Sequence, residues 1–266
     1  LRTARHTRSL QRRAISDALW QGTLSTLPFL LAICAEDLQR LRSLASLFLD
    51  RKEFSGAQGF VVTDAQAVMV AAQACLPILH IAAPDRPDLA LRWYDGFVGI
   101  VLHAGEVRAR RMDTDEAGVV HSWQENLTGE TLQGGPLMLA WSDVAAAGST
   151  ASEAYNVVIH EFVHVMDLQN GMPDGCPPMA ADLRRAWMQV MQAQYEAFCE
   201  QVQQWERFGS LAVGSPGAHR AQQAPLIDSY GTESIDEFFA VAAEAYFVRR
   251  ADFGVAYPEL LVQFDR

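Results

Sequence analysis

The sequence predicts an α+β protein with a mostly helical C-terminal half and a small mixed sheet in its N-terminal half. Apolar residues recur at helical spacing in several segments, and three short strand-like segments, the first of them rich in aromatic and β-branched residues, interrupt them before residue 142. Half of the 266 residues are hydrophobic, 20% are charged and the mean hydropathy is 0.00. These values are typical of a globular chain with a sizeable core and argue against a disordered one.

The first predicted elements are a helix over residues 35–48 and a buried segment over residues 65–83. The helix is indicated by leucines at every third position with charged residues between them. The segment 65–83 has no charge and approaches the length that spans a bilayer. However, Pro77 and His80 interrupt it, and unpaired polar groups are costly in lipid. We therefore predict a buried helix followed by a strand.

Strands are predicted next over residues 93–102, 119–123 and 136–141. From residue 150 the pattern is helical, except over residues 208–230, where glycine and proline gather. A loop of that length inside a compact chain is usually functional or mobile. Thr150 and Glu153 form a capping box that can start the first of these helices, and residues 170–171 (Asn-Gly) can end it.

His160, Glu161 and His164 form the pattern H-E-x-x-H within this helix. Four residues of an α-helix turn through about 400°, so the two imidazoles lie on one face, one turn apart. They can bind one metal ion, with Glu161 beside them as a candidate general base. The alternative is that the two histidines are purely structural, in which case their H-E-x-x-H spacing would be a coincidence.

A catalytic zinc ion needs a third protein ligand and one open position. A third histidine does not follow six residues after His164, because position 170 is asparagine. We therefore expect a carboxylate from another helix, and Glu237 is the first candidate, because Ser234 and Glu237 can open an apolar helix. A mere capping role is the alternative for Glu237. The other candidate ligands are Glu233, Asp236 and Glu244.

Two carboxylates are candidates for orienting the histidines. Asp167 follows His164 by three residues and is predicted to accept its free N–H, unless it is a solvated helix end. Glu244 is the candidate partner of His160. Leu137–Ala140 is either an edge strand that pairs with a peptide or an ordinary core strand. The remaining histidines near no ligand motif are expected to be non-catalytic: His80, His103, His121 and His219.

On these motifs the sequence resembles the Mlc titration factor A family. These proteins are bacterial zinc metallopeptidases of the gluzincin kind, with an active-site region similar to that of anthrax lethal factor. The resemblance runs from about residue 24 to residue 257. The matching segments are HEFVHVMD (160–167), EFFAVAAEAYF (237–247) with a tyrosine seven residues before it, LRSLASLFLDRKEFSGAQGF (41–60), QACLPIL (73–79), WYDGF (93–97) and GPLMLAWSDV (135–144).

The resemblance implies a zincin-like fold with one Zn²⁺ ion per chain. By similarity, the metal ligands are His160, His164 and Glu237, while Glu161 is the base and Tyr230 the oxyanion partner. It further implies aminopeptidase-type hydrolysis of short peptides and binding of the glucose-regulating repressor Mlc. We expect a basic, mobile tail over residues 1–23 and a single metallopeptidase domain over residues 24–266. Its active-site cleft is expected between an α/β part (24–149) and a helical part (150–266).

Charge and cysteine content restrict the partners. The net charge is −11 although five arginines lie in the first 13 residues, so the acidic remainder repels a phosphate backbone and direct nucleic-acid binding is not expected. The four cysteines are scattered without a C-x-x-C pair, which favours a reducing compartment and a role as small core residues. We expect a cytoplasmic monomer that does not associate with membranes.

Two classes of function remain open. One is a zinc peptidase, and the other is a regulatory protein, weakly catalytic or non-catalytic, that sequesters a transcription repressor. Glu161 and Tyr230 favour the peptidase, because binding alone needs no general base. A structural zinc site is less favoured, since closed sites usually have four cysteine-rich ligands and no cysteine lies near either motif. The acidic body and the 208–230 loop predict a narrow, gated cleft for short substrates.

Overall fold

The computed structural model describes residues 14–105, 107–114, 120–127, 135–208 and 224–266. They divide into two compact units. One comprises the described residues up to Pro28 together with Cys34–Ala147, and the other comprises Phe29–Ile33 and Gly148–Arg266. The first unit holds helices and a small sheet, and the second is built of helices, which confirms the α+β prediction. The single domain with a cleft between residues 24–149 and 150–266 stays a prediction.

Within the described residues, the first unit begins with helix α1 (Asp17–Thr26). The side chain of Ser16 caps it by accepting a hydrogen bond from the backbone N–H of Leu19. Trp20, Thr23 and Leu24 are buried, so this helix belongs to the folded unit. The predicted tail over residues 1–23 is therefore too long, because its last turns carry apolar side chains that pack. Residues 1–13 of that tail lie outside the described residues.

Helix α2 (Ala35–Arg51) confirms the first predicted helix, and α3 (Asp64–Ala74) confirms the second. The strand predicted after α3 is wrong, because residues 75–82 form successive turns. The N–H groups of Leu76 and Leu79 each bond to the carbonyl three residues back, at 3.1 Å. Pro77 has no N–H to donate to a strand ladder, so tight turns bury this apolar stretch instead. A short helix, α4 (Pro87–Ala90), follows.

The sheet of the first unit is parallel rather than mixed. Strands β1 (Glu53–Gly56), β2 (Gly99–His103) and β5 (Leu137–Ala140) pair in the order β1-β2-β5, so β5 is at an edge of the described sheet. The antiparallel pairing is confined to a separate ribbon of β3 (Val107–Thr114) and β4 (Val120–Leu127). Pairing of a peptide with β5 stays a prediction.

The strand predicted from residue 93 begins only at Gly99. Residues Leu91–Tyr94 form a 3₁₀ turn instead. The Tyr94 side chain is fully buried, and its hydroxyl donates to the Ala74 carbonyl at 2.8 Å. This buried hydrogen bond holds the aromatic residues in a turn, against their preference for strands.

Lys52 joins the end of α2 to the turn that precedes β2. Its ammonium donates to the carbonyls of Tyr94 and Phe97 and lies 3.7 Å from the centre of the Phe97 ring. Only 8% of the residue is exposed. Burial lowers the pKa of Lys52 to about 8, against an opposing effect of Asp95. The lysine thereby holds β1 in register with β2, where Glu53 pairs with Gly99.

Lys52 is the single lysine of the sequence, so its titration can be observed directly. In protein labelled with carbon-13 lysine, we expect a side-chain midpoint at a pH of about 8. In denaturant the same resonance should titrate at about 10.4. Because the folded chain loses this proton first, Lys52 should make the free energy of unfolding rise between these pH values. A folded-state midpoint above 10 would contradict the burial argument.

The second unit contains the helices that carry the candidate site. Helix α5 (Trp141–Thr150) crosses from the first unit into the second. It is followed by α6 (Val157–Asp167), α7 (Ala181–Phe208), α8 (Ile235–Val248), α9 (Arg250–Ala256) and α10 (Pro258–Phe264). Helices α6 and α8 pack on each other, and α8 also packs on α7.

The predicted start of α6 is wrong in detail. Thr150 does not cap it, because a 3₁₀ turn (Ala151–Glu153) and a left-handed Ala154 intervene. Asn156 is the cap, and its side-chain oxygen accepts from the N–H of Ile159 at 3.0 Å. The predicted end is right to within one turn, since α6 stops at Asp167 and a 3₁₀ turn continues to Asn170.

Two further expectations meet the limits of the described chain. No helix in the described ranges is long and apolar enough to cross a membrane. Helix α7 ends at Phe208, where the predicted loop begins. Residues 209–223 of this loop lie outside the described residues, so its role as a gate stays a prediction.

Candidate metal centre

The two histidines of α6 face the same way. His160 and His164 lie one turn apart with their ring centres 4.7 Å from each other, and their Nε2 atoms are 3.1 Å apart. The other sides of the helix are apolar and buried, as the sequence predicts. The buried apolar residues are Val157, Val158, Ile159, Phe162, Val163, Val165 and Met166. This burial fixes the rotation of the helix, so both imidazoles point to one place.

Glu237 reaches the imidazoles from the first turn of α8. Ser234 caps this helix by accepting from the Glu237 N–H at 3.4 Å, so the predicted helix start is confirmed. The Glu237 side chain is directed at the imidazoles: its Oε2 lies 3.1 Å from Nε2 of His160 and 3.2 Å from Nε2 of His164. Neither Glu233 nor Asp236 joins the group of close donor atoms found in the described residues.

The donor atoms suit a zinc ion. They form a nearly equilateral triangle with edges of 3.1, 3.1 and 3.2 Å. Ligands of tetrahedral zinc, with bonds of about 2.0–2.1 Å, lie about 3.3–3.4 Å apart. The triangle therefore needs to open by only a few tenths of an ångström. Two neutral imidazoles and one carboxylate are a donor set that zinc accepts in catalytic sites.

Glu244 orients His160 as expected. Its Oε1 lies 2.8 Å from Nδ1 of His160, and its Oε2 accepts from the backbone N–H of Asn156. Only 1% of Glu244 is exposed. Because Nδ1 is engaged here, Nε2 is left to face Glu237 and a metal ion. One residue of α8 thus fixes both the ring orientation and the N-terminal end of α6.

Asp167 does not contact His164 as predicted. It is fully buried, and its two oxygens accept from the N–H groups of Gly175 and Cys176 at 2.9 and 2.7 Å. The alternative of a solvated helix end is also wrong. The chain turns back beneath α6 and brings its backbone N–H groups to this carboxylate, which the spacing to His164 gave no reason to expect.

In the metal-free protein, burial and hydrogen bonding have opposite effects on the pKa values of His160 and Glu237. Burial alone would lower the pKa of His160, but its hydrogen bonds to Glu237 and Glu244 raise it well above the ordinary value. Burial alone would raise the pKa of Glu237, but the hydrogen bonds from the two imidazoles hold it far below its usual range. A proton shared among these groups therefore supplies the positive charge that the carboxylate needs.

Glu161 is almost completely buried, with 4% of its surface exposed. Desolvation raises its pKa; the two histidines oppose this shift, and Glu237 and Glu244 reinforce it. A carboxylate with a raised pKa accepts protons more readily near neutral pH. Its place in α6, directly after His160, puts Glu161 next to the candidate metal ligands.

Tyr230 lies in the 3₁₀ turn Ser229–Thr232 and is half exposed. Its hydroxyl donates to Oε1 of Glu237 at 3.3 Å. Burial and the nearby Glu237 raise its pKa, so the phenol stays protonated and able to donate. A Cβ atom at Gly231 would lie 2.6 Å from Cγ2 of Val241, which shows how closely this turn packs on α8. Tyr230 and Glu237 are therefore held together.

The residue that the sequence analysis missed is Asn156. It is fully buried, caps α6 and donates its backbone N–H to Glu244. Asparagine directly before an apolar helical run is a standard capping signal. The sequence pattern assigns the cap to Thr150 instead, because the Thr150–Glu153 capping box precedes the same apolar segment of α6.

The remaining candidate residues lie elsewhere. His80 is 3.3 Å from Asp37, and His103 is in β2. The side chains of His121 and His219 lie outside the described residues. All four cysteines are free. Cys75 and Cys176 are buried as expected, but Cys34 is exposed, so it is not a core residue.

Comparison with known proteins places the chain in a family. Residues 1–266 match the family described as glucose-regulated metallo-peptidase M90. The chain belongs to the M90 family. As a metallopeptidase family, M90 implies a bound metal, and the group of His160, His164 and Glu237 fits one.

Relatives match this M90 chain over most of their length. It is 27% identical over 252 residues to Mlc titration factor A of Cronobacter sakazakii, covering 94% of this chain and 85% of the relative. It is 28% identical over 257 residues to Mlc titration factor A of Escherichia coli O7:K1, covering 96% and 87%. An uncharacterized protein of Synechocystis is 28% identical over 232 residues, covering 86% and 75%.

We expect zinc binding to this M90 chain to release a proton at neutral pH. The imidazoles must be neutral to bind metal, whereas the metal-free site holds a proton at His160. Calorimetry in two buffers of different ionisation enthalpy should report about one proton released per zinc ion at pH 7. Zinc affinity should then increase with pH up to the pKa of His160.

The variant Glu244→Gln is the control for this titration. It removes a carboxylate that raises the pKa of His160, so it should release a smaller fraction of a proton. Binding enthalpies that do not depend on the buffer in the unaltered protein would contradict the proposed charge state.

Proposed function

We propose that this M90 chain is a zinc-dependent peptidase that cleaves short peptides in the manner of an aminopeptidase. The observation that carries the proposal is the convergence of the Nε2 atoms of His160 and His164 with Oε2 of Glu237, within 3.2 Å of one another. A buried glutamate, Glu161, adjoins this group, and the hydroxyl of Tyr230 contacts it. Together they supply metal ligands, a base and a hydrogen-bond donor.

In this proposal His160, His164 and Glu237 hold one zinc ion per chain. When bound, zinc supplies a Lewis acid for the scissile carbonyl and makes a water molecule more acidic. Three protein ligands leave a coordination position for reactants, whereas a structural zinc site usually has four. The side chains of the three ligands retain 12–19% exposure, which is consistent with access by a small substrate.

Glu161 takes the role of general base. It accepts a proton from the attacking water and delivers it to the nitrogen of the leaving amine. Its burial supports this role, because a raised pKa lets one carboxyl group act first as base and then as acid. The neighbouring His160 and His164 limit the rise in the pKa of Glu161, so the protonated group can still give up its proton.

Tyr230 takes the role of oxyanion donor. Its hydroxyl is held at Oε1 of Glu237, and the residue is half exposed, so the side chain can turn toward a substrate carbonyl. The raised pKa keeps the donor proton in place throughout. The side chain therefore stabilises negative charge by hydrogen bonding rather than by proton transfer.

We propose a second function because two relatives bear the name Mlc titration factor A. In this proposal the chain acts in the cytoplasm as a monomer and binds the repressor Mlc, with or without catalysis. Titration of Mlc with the purified chain tests it: a saturable complex supports the proposal, and no complex at micromolar concentrations contradicts it.

The variant Glu161→Gln should keep zinc and lose catalysis. Glutamine has nearly the same shape but cannot accept the proton, so kcat on amino-acid anilides should fall by about 10²–10⁴-fold. Zinc content, measured by elemental analysis, should stay at one ion per chain. Glu200→Gln, an exposed glutamate of α7, is the matched control and should retain activity. Unchanged cleavage by Glu161→Gln would exclude Glu161 as the base.

The variant Tyr230→Phe should lower kcat by about 10²–10³-fold with little change in KM, because the lost hydrogen bond acts in the transition state. The control is Tyr246→Phe, whose hydroxyl bonds to Asp265 at 2.8 Å, outside the site. An equal loss in both variants would point to stability rather than to stabilisation of the oxyanion.

A further inference from the structure

A tight turn follows the helix of the histidines. Residues 171–176, here called the spacer turn, contain two left-handed glycines, Gly171 at φ +87° and Gly175 at φ +68°. Asn170 braces both ends of the turn: its side-chain oxygen accepts from the N–H of Met172 at 2.9 Å, and its amide donates to the carbonyl of Cys176 at 2.8 Å. The turn thus has one defined backbone shape.

Asp167 anchors the spacer turn to α6. Its carboxylate is fully buried and accepts from two consecutive N–H groups, those of Gly175 and Cys176. Hydrogen bonds to a charged acceptor are about twice as strong as neutral ones. If either N–H group lost its bond to Asp167, that buried donor would carry a desolvation penalty. The two hydrogen bonds therefore hold the turn firmly.

The other face of the spacer turn abuts the helix of Glu237. A Cβ atom at Gly175 would lie 2.9 Å from the carbonyl oxygen of Ile235 and 3.5 Å from Cβ of Phe239. Trp187 of α7 donates its indole N–H to the carbonyl of Gly175 at 2.7 Å and packs edge-on against the ring of Phe239. The turn is therefore wedged between Asp167 on one side and the first turn of α8 on the other.

The residues that contact the spacer turn lie close in sequence to the proposed metal ligands. Asp167 follows His164 by three residues, and Glu237 lies midway between Ile235 and Phe239. At the opposite end of the same pair of helices, Glu244 bonds to His160 and to the N–H of Asn156. Helices α6 and α8 thus run antiparallel and are tied at both ends, once by Glu244 and once through the spacer turn.

We propose that Asp167 is a positioning residue that sets the distance between the two imidazoles and Glu237 by holding the spacer turn. The inference rests on the proposed zinc site. Asparagine at this position has one acceptor oxygen and would direct its amide N–H₂ at one of the two backbone N–H groups. The turn would then shift, and the first turn of α8 would move relative to the imidazoles.

The experiment compares Asp167→Asn with Asp174→Asn. Both substitutions exchange a carboxylate for an amide at the spacer turn. Asp174 pairs with Arg184 at 3.1 Å, and its Oδ1 also accepts from the Cys176 N–H at 3.1 Å. An amide oxygen can keep that second bond, and neither contact ties the turn to α6, so Asp174→Asn is the matched control. We expect Asp167→Asn to lower zinc affinity, measured by competition with a chelator, by about 10–100-fold, a loss typical of residues that orient metal ligands. Asp174→Asn should stay within about twofold of the unaltered protein.

Visible absorption of the cobalt-substituted protein separates positioning from loss of stability. A changed ligand geometry alters the cobalt d–d bands of the folded protein, whereas a merely less stable site keeps them. We expect altered bands in Asp167→Asn and unaltered bands in Asp174→Asn. Unchanged bands and affinity in Asp167→Asn, or equal changes in both variants, overturn the inference.

A second variant covers the case in which Asp167→Asn does not fold. Trp187→Phe keeps an aromatic ring against Phe239 but loses the hydrogen bond to the Gly175 carbonyl. It should alter the cobalt bands in the same direction with a smaller loss of affinity, and unchanged bands overturn the inference. Should the unaltered protein bind neither zinc nor cobalt, the proposed function itself fails, which is distinct from a metal-binding protein that tolerates Asp167→Asn.

Discussion

The structure depends on bringing one carboxylate oxygen within 3.2 Å of two imidazole nitrogens. Three such lone-pair donors repel one another unless positive charge lies among them. Without metal a proton supplies it, which explains why the pKa of His160 is raised while that of Glu237 is lowered. The surrounding protein therefore has to hold the donor atoms together against this repulsion. Helices α6 and α8 of the second unit, which pack on each other, do this.

Burial and polar anchoring contribute in different ways. The apolar sides of α6 fix its rotation, and the turn at Gly231 packs so closely on α8 that Tyr230 has little freedom at its backbone. Buried carboxylates then set finer details: Glu244 orients an imidazole, and Asp167 organises a turn. Glu161 is also buried, and in the proposed mechanism its raised pKa suits a group that transfers a proton.

The sequence was informative where the determining interactions are local. Helical spacing predicted that His160 and His164 share a face, and a capping serine predicted where the helix of Glu237 begins. It was misleading where distant contacts decide. The turns after α3 follow from tertiary burial around Pro77. The hydrogen-bond partners of Asp167 lie where the chain reverses direction, and residue periodicity does not predict such a reversal. Two competing capping signals precede α6, and only the fold selects Asn156.

One helix, α8, contributes both a donor to the ligand triangle and the carboxylate behind His160. Glu237 and Glu244 are separated by seven residues, which is close to two full helical turns. One residue inserted or deleted between them would rotate one carboxylate by about 100° relative to the other. Any change in the number of residues between them would therefore separate the candidate ligand oxygen from the carboxylate that orients His160.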